Sequence, residues 1–154
     1  MSTMHIAELN IVYRRYAFDD PRFADFINNL DRINALAERS EGFVWRLKDD
    51  SGTSIHVETG HDPALLPNLS VWESVDALYR FAFETVHRRI FERRLEWFDP
   101  PSKPHFVLCK VPVGHGPTVE EAVARLETLR RHGPSDNVFG WEVLEQRAKS
   151  PPGP

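Results

Sequence analysis

Cysteine is almost missing: Cys109 stands alone among 154 residues. That excludes an intramolecular disulfide framework and any zinc site built from several thiolates. Cys109 lies in the apolar run Phe106–Val111, where a small buried hydrophobe is the plain reading. A reactive thiol would need a basic neighbour to lower its pKa. No apolar run approaches the ~18 residues that suit a membrane span. The N-terminus has neither the basic nor the apolar region of a signal peptide. No basic stripe stands out that could track a phosphate backbone. Nucleotide and nucleophile fingerprints are missing as well: there is no G-x-G-x-x-G, no Walker lysine and no G-x-S-x-G. Six groups are scattered along the chain, His56, His61, Asp62, His105, His115 and His132, and no pair has the H-E-x-x-H spacing of a metal site. The expectation is a cytoplasmic protein with no membrane, nucleic-acid or metal partner.

What is present is ordinary for a globular domain. Apolar residues make up 41% and charged residues 27%, with a net charge of −4 and acids and bases interleaved. This length is about one domain's worth and can bury one core. Met4–Tyr13 reads as a strand with His5, Ala7, Leu9, Ile11 and Tyr13 on one face and Ile6, Glu8, Asn10 and Val12 on the other. Asp20-Pro21 is a helix start, and Phe23, Phe26, Ile27, Leu30, Ile33 and Leu36 recur at helical spacing over residues 20–39. Gly42 ends that connection. Phe43–Lys48 and Asn68–Trp72 read as strands, with a short strand and loop over Thr53–Pro67 between them. Ser74 caps a helix whose pattern continues, after a bend, to Phe98, where Asp99-Pro100-Pro101 stops it. His105–Val111 is a fourth strand, Thr118-Val-Glu-Glu121 a capping box opening a helix to Gly133, and Phe139–Leu144 a short final strand.

The order β-α-β-β-α-β with a C-terminal helix is the split βαβ, ferredoxin-like pattern, an α+β fold with an antiparallel sheet. Residues 1–149 are expected to form one domain, and 150–154 a flexible Pro-rich tail. One sheet face is covered by helices; the other must be hidden, and a partner subunit is one way to hide it.

Three features carry chemistry. Asn10 is a polar amide inside an apolar strand, so it is either a satisfied or solvent-facing amide, or one aimed at a ligand. Asn68, Ser70 and Trp72 share a strand face, which suits a pocket wall, although a core aromatic is the commoner use of Trp. His87, Phe91, Arg94 and Phe98 lie along one helical stripe, which brings an imidazole, an aromatic and a guanidinium together. An imidazole there can be a general base, a ligand to haem iron, or a plain surface group. Glu84, Glu92 and Glu96 balance Arg88, Arg89 and Arg93 at three- or four-residue spacing, as on a solvated face.

Ile6-Ala-Glu-Leu-Asn10, the run Asn28–Glu38, Gly42-Phe-Val-Trp-Arg46, Asn68-Leu-Ser-Val-Trp72-Glu-Ser and Glu96-Trp-Phe98 resemble a bacterial family, domain-of-unknown-function family 3291. Gly114–Ala122 and Leu129–Gly133 extend the likeness. That family resembles the dimeric α/β-barrel superfamily of antibiotic-biosynthesis monooxygenases, haem-degrading monooxygenases and small polyketide cyclases. The resemblance implies a homodimer with an aromatic or haem-like ligand in the cleft between sheet and helices. It places Asn10, Trp72 and His87 on the elements that surround the ligand in the haem-degrading branch. By that resemblance the chain is a small oxygenase-like or cyclase-like enzyme acting on an aromatic or polycyclic molecule. Trp72 would form the wall, Asn10 bind a substrate oxygen and His87 move a proton. Asn68, Ser70, Phe91, Arg94 and Phe98 would line the substrate. A non-catalytic carrier of haem or another hydrophobic ligand, with His87 as axial ligand, is the alternative.

Overall fold

The computed structural model describes residues 4–48, 52, 62 and 64–149. His56, His61 and the residues 150–154 expected to form a tail lie outside the described residues, as does most of the segment 53–67. Its described end, Leu65–Pro67, belongs to a strand.

The first strand, β1 (Met4–Tyr13), follows the alternation read from sequence. It is paired on both sides, which is why its middle is buried. A 3-10 turn at Pro21–Phe23, with the Asp20 carboxylate accepting the Arg22 backbone N–H at 2.8 Å, leads into α1 (Ala24–Arg39). β2 (Phe43–Arg46) and β3 (Leu65–Trp72) follow; β2 stops two residues earlier than the sequence pattern suggested and β3 starts three earlier. Ser74 accepts the Ala77 N–H at 3.1 Å and caps α2 (Val75–Glu84). After β4 (Phe106–Pro112), Thr118 accepts the Glu121 N–H and caps α4 (Val119–His132), α3 being the short helix His87–Glu92 between them. The reciprocal half of the expected capping box is diverted, because the Glu121 carboxylate takes the His115 imidazole at 2.7 Å.

The sheet order is β2-β3-β1-β4-β5, antiparallel throughout, with β5 (Val138–Phe139) added beside β4. Its first four strands form the split βαβ arrangement of a ferredoxin-like α+β fold. The final strand expected over Phe139–Leu144 is corrected: pairing ends at Phe139 and Trp141–Lys149 is a helix, α5. Glu142 explains the switch, because its carboxylate accepts the Gly140 N–H at 2.8 Å and opens a helical turn.

Each sheet face has its own core. Ala7, Leu9 and Ile11 join Leu126 and Leu129 of α4 on one side. Ile6, Trp72 and Leu108 join residues of α1, α2 and α5 on the other. The face expected to need a partner is therefore covered within the chain by α4 and by Gly116, whose Cα carries no side chain where a Cβ would sit 3.2 Å from the Trp45 indole. The homodimer then rests on the resemblance alone.

Candidate functional site

Between the sheet and the layer of α1, α2, α3 and α5 lies a cavity of about 210 Å³. Its floor is the β1–β3 ladder, where Glu8 faces Ser70 and Asn10 faces Asn68. Antiparallel pairing sets these four polar side chains side by side on one face. They form a stripe that runs from exposed Asn68, through half-buried Asn10, to buried Glu8 and Ser70.

The wall nearest the floor is Trp72, 1% exposed and stacked on Phe81 with centroids 5.2 Å apart. Its indole N–H donates to the Ser70 hydroxyl at 2.9 Å, and that hydroxyl donates to Glu8 Oε2 at 2.9 Å. Trp72 is thus both core aromatic and cavity wall. Its sole donor is committed to Ser70, so it offers a ring and no proton.

His87 enters from the helix layer because the helix expected to run to Phe98 is broken. At Thr85 the backbone is extended, and the Thr85 hydroxyl donates to the Phe81 carbonyl at 2.6 Å and accepts the His87 N–H at 3.2 Å. This threonine gives substitute partners to the Phe81 carbonyl and the His87 N–H, two of the groups freed by the interrupted ladder. The break swings His87 back so that Nδ1–H donates to the Ala82 carbonyl at 2.9 Å. A carbonyl only accepts, so the proton sits on Nδ1 and Nε2 keeps its lone pair. Burial holds the imidazole below its ordinary pKa, against the opposing pull of the Ala82 carbonyl.

All eight residues singled out in the sequence line this one cavity: Asn10, Asn68, Ser70, Trp72, His87, Phe91, Arg94 and Phe98. Arg94 sits at the exposed rim with its guanidinium 4.2 Å from the Phe91 ring centroid. The salt-bridged arginine face is also present in part, with Arg88 on Glu92 and Arg93 on both Glu96 and Asp25.

The sequence reading missed Glu8, Arg46, His105 and Trp141, which also line it. Glu8 had a signal: a carboxylate amid the apolar residues of a strand that turned out to be central. Burial pushes its pKa up to about 8, opposed by the Ser70 hydrogen bond. Arg46 reaches Glu38 at 3.7 Å and the Gly52 carbonyl at 2.7 Å, while its Nε is buried without a partner among the described residues. The Asn10 side-chain oxygen is likewise buried and unpartnered among them. Trp141 was hidden by the mistaken strand.

Other candidates disperse. Among the described residues no cluster of three His, Cys, Asp or Glu side chains could hold a metal. His105 reaches the cavity, whereas His115 pairs with Glu121 on the surface. Cys109 is buried, its pKa raised to about 11 by desolvation, as befits a small core side chain. No helix among the described residues is long and apolar enough to cross a membrane.

An antiparallel split-βαβ sheet with an apolar cavity under its helices defines a ferredoxin-like domain. The chain belongs to the family described as Domain of unknown function (DUF3291), which it matches over residues 5–152. No curated protein matches it. Among solved structures it is similar to a Pseudomonas aeruginosa protein at 16% identity and a TM-score of 0.46, covering 73% of this chain and 95% of that one. It is also similar to SnoaB, a cofactor-independent oxygenase from Streptomyces nogalater, at 14% identity and a TM-score of 0.45, covering 74% and 96%. A third is a dabb family protein with a ferredoxin-like fold from Mesorhizobium loti, at 13% identity and a TM-score of 0.43, covering 71% and 99%.

Proposed function

We propose that the cavity binds a one- or two-ring aromatic molecule bearing a hydroxyl or keto oxygen, and that the protein is an oxygenase-like enzyme acting on it. The observation that carries this is the meeting of Asn10, Trp72 and His87 on one apolar cavity. The imidazole nitrogen with its free lone pair can accept the proton of an aromatic hydroxyl. The Asn10 amide, its oxygen buried without a partner among the described residues, is a second polar group that can orient the ligand. Size narrows the ligand. Dry cavities of roughly 150 Å³ take benzene, and drug-sized ligands need upwards of about 300 Å³. At about 210 Å³ the space suits one or two rings.

In this reading the ligand hydroxyl gives its proton to His87 Nε2, and Asn10 and the apolar walls fix the ring. The phenolate is the electron donor and dioxygen the oxidant. One oxygen atom enters the ring carbon para to the hydroxyl as a quinone oxygen, and the other leaves as water with the two hydrogens removed. The test uses 1-naphthol, with binding followed by tryptophan fluorescence and turnover by oxygen uptake and quinone absorbance. Saturable quenching with His87-dependent oxygen uptake is expected. Binding without uptake would support a ligand carrier, and no binding would remove both readings.

The haem-carrier reading has one observation in its favour, the free Nε2 of His87. The cavity volume opposes it. A homodimer remains a proposal from the resemblance, decided by gel filtration with light scattering.

A further inference from the structure

The proton-bearing group on the sheet side of the cavity is not accounted for by Asn10, Trp72 and His87. Glu8 is 5% exposed, sits mid-strand on the deepest part of the floor and lines the cavity. No cation lies within ion-pair distance of it among the described residues; the basic groups on the cavity are Arg46, His87, Arg94 and His105. Arg46 is engaged by Glu38 and the Gly52 carbonyl, and Arg94 is folded over Phe91 at the rim. The cavity residues contributed by α1, α2 and α5 include no charged side chain. The hydroxyl of Ser70 engages Oε2 alone, while Oε1 has no hydrogen-bond partner among the described residues. Ser70 is itself pinned by the Trp72 indole, so the carboxyl cannot swing away without leaving the buried Ser70 hydroxyl proton without its acceptor.

We propose that Glu8 works as an un-ionised carboxylic acid whose Oε1–H donates to a ligand's keto or hydroxyl oxygen, so that the floor of the cavity recognises oxygen-bearing, uncharged aromatic rings. This rests on the aromatic-ligand reading above and adds its second polar contact. Along β1 the Glu8 and Asn10 side chains stand about 7 Å apart on the same face, two residues at ~3.3 Å each. A two-ring ligand spans that gap. Isolation from cations and a pKa raised to about 8 by burial both keep the acid protonated through neutral pH. The neighbouring imidazoles do not share that range, since burial lowers the pKa of His87, and burial with the Arg94 and Arg130 charges lowers that of His105. A transition near pH 8 would therefore report Glu8.

The probe is 1-tetralone, a two-ring ketone that neither titrates nor reacts with thiols, bound to the full chain and followed by calorimetry and tryptophan quenching. Affinity of the native protein should fall about three- to tenfold as pH rises through roughly 8, the worth of one net hydrogen bond. In Glu8→Gln, which keeps a donor and cannot ionise, affinity should be flat across the same range. A carbon-13 titration of the Glu8 carboxyl in the ligand-free protein, assigned with that variant, should show a midpoint well above the ordinary carboxylate range. Flat binding in the native protein, the same fall in Glu8→Gln, or an ordinary carboxyl midpoint would each overturn the role of Glu8 and leave the cavity reading standing. Absence of tetralone binding at every pH would overturn both.

Discussion

The indole N–H of Trp72 and the hydroxyl of Ser70 meet at 2.9 Å beneath the cavity. Cross-strand pairing of Glu8 with Ser70 then places the carboxyl to receive the hydroxyl proton. Replacing Ser70 by alanine removes both bonds and leaves an indole N–H buried without an acceptor. The expected cost is about 1–3 kcal/mol, the penalty of one buried unsatisfied polar group, measured by urea denaturation. Ser70→Thr, which keeps the hydroxyl, should recover most of it. Equal losses in the two variants would mean that packing, not the bond, matters there.

Glu8 gives the fold a pH dependence of defined sign. Its carboxyl has a pKa of 4.5 when unperturbed and about 8 in the folded chain. The unfolded chain therefore ionises first, and the stability associated with the neutral acid is complete below about 4.5 and lost as pH climbs to about 8. Thermal denaturation of the native protein should show a falling midpoint across this interval. Glu8→Gln should flatten the profile, and an unchanged slope in that variant would assign the effect to another group.

His87 Nε2 is the atom that the haem reading needs. Titrating haemin into the protein is expected to give no sharpened Soret band that disappears in His87→Ala, since about 210 Å³ is too small for a four-pyrrole ring. A His87-dependent band would show that the helix layer opens and would restore the haem carrier. Nitrogen-15 chemical shifts should find the imidazole neutral with its proton on Nδ1 at pH 7, as the Ala82 contact requires.

Gly42 holds α2 against the sheet edge. Its φ is +86°, and a Cβ there would lie 2.4 Å from the Ala77 Cβ on α2. Gly42→Ala combines left-handed strain with overpacking, for an expected loss of roughly 2–4 kcal/mol. Urea unfolding measures it. A loss no larger than the roughly 1–2 kcal/mol of left-handed strain would mean that α2 shifts freely, and the Trp72–Phe81 stack with it.

Much of this molecule was written locally. The alternation along Met4–Tyr13 determined which residues of β1 face each side, because a strand's period of two follows from its geometry alone. Asp20, Ser74 and Thr118 marked helix starts, because short polar side chains cap free N–H groups wherever a helix begins. Asn10 was visible as a polar misfit in an apolar strand, Trp72 by the strand face it shares with Asn68 and Ser70, and His87 by its helical stripe with Phe91, Arg94 and Phe98. What the sequence could not carry was anything that depends on a distant neighbour. The carboxyl of Glu8 becomes a weaker acid only after two flanking strands and the helix layer over the cavity exclude water from it. His87 turns inward only because the Thr85 hydroxyl replaces a helical bond and the Ala82 carbonyl stands where the ring arrives. Trp141 reaches the cavity because Glu142 closes a turn on Gly140 and ends strand pairing at Phe139. Periodicity sets which way a side chain points, but desolvation and long-range hydrogen bonds set what it can do.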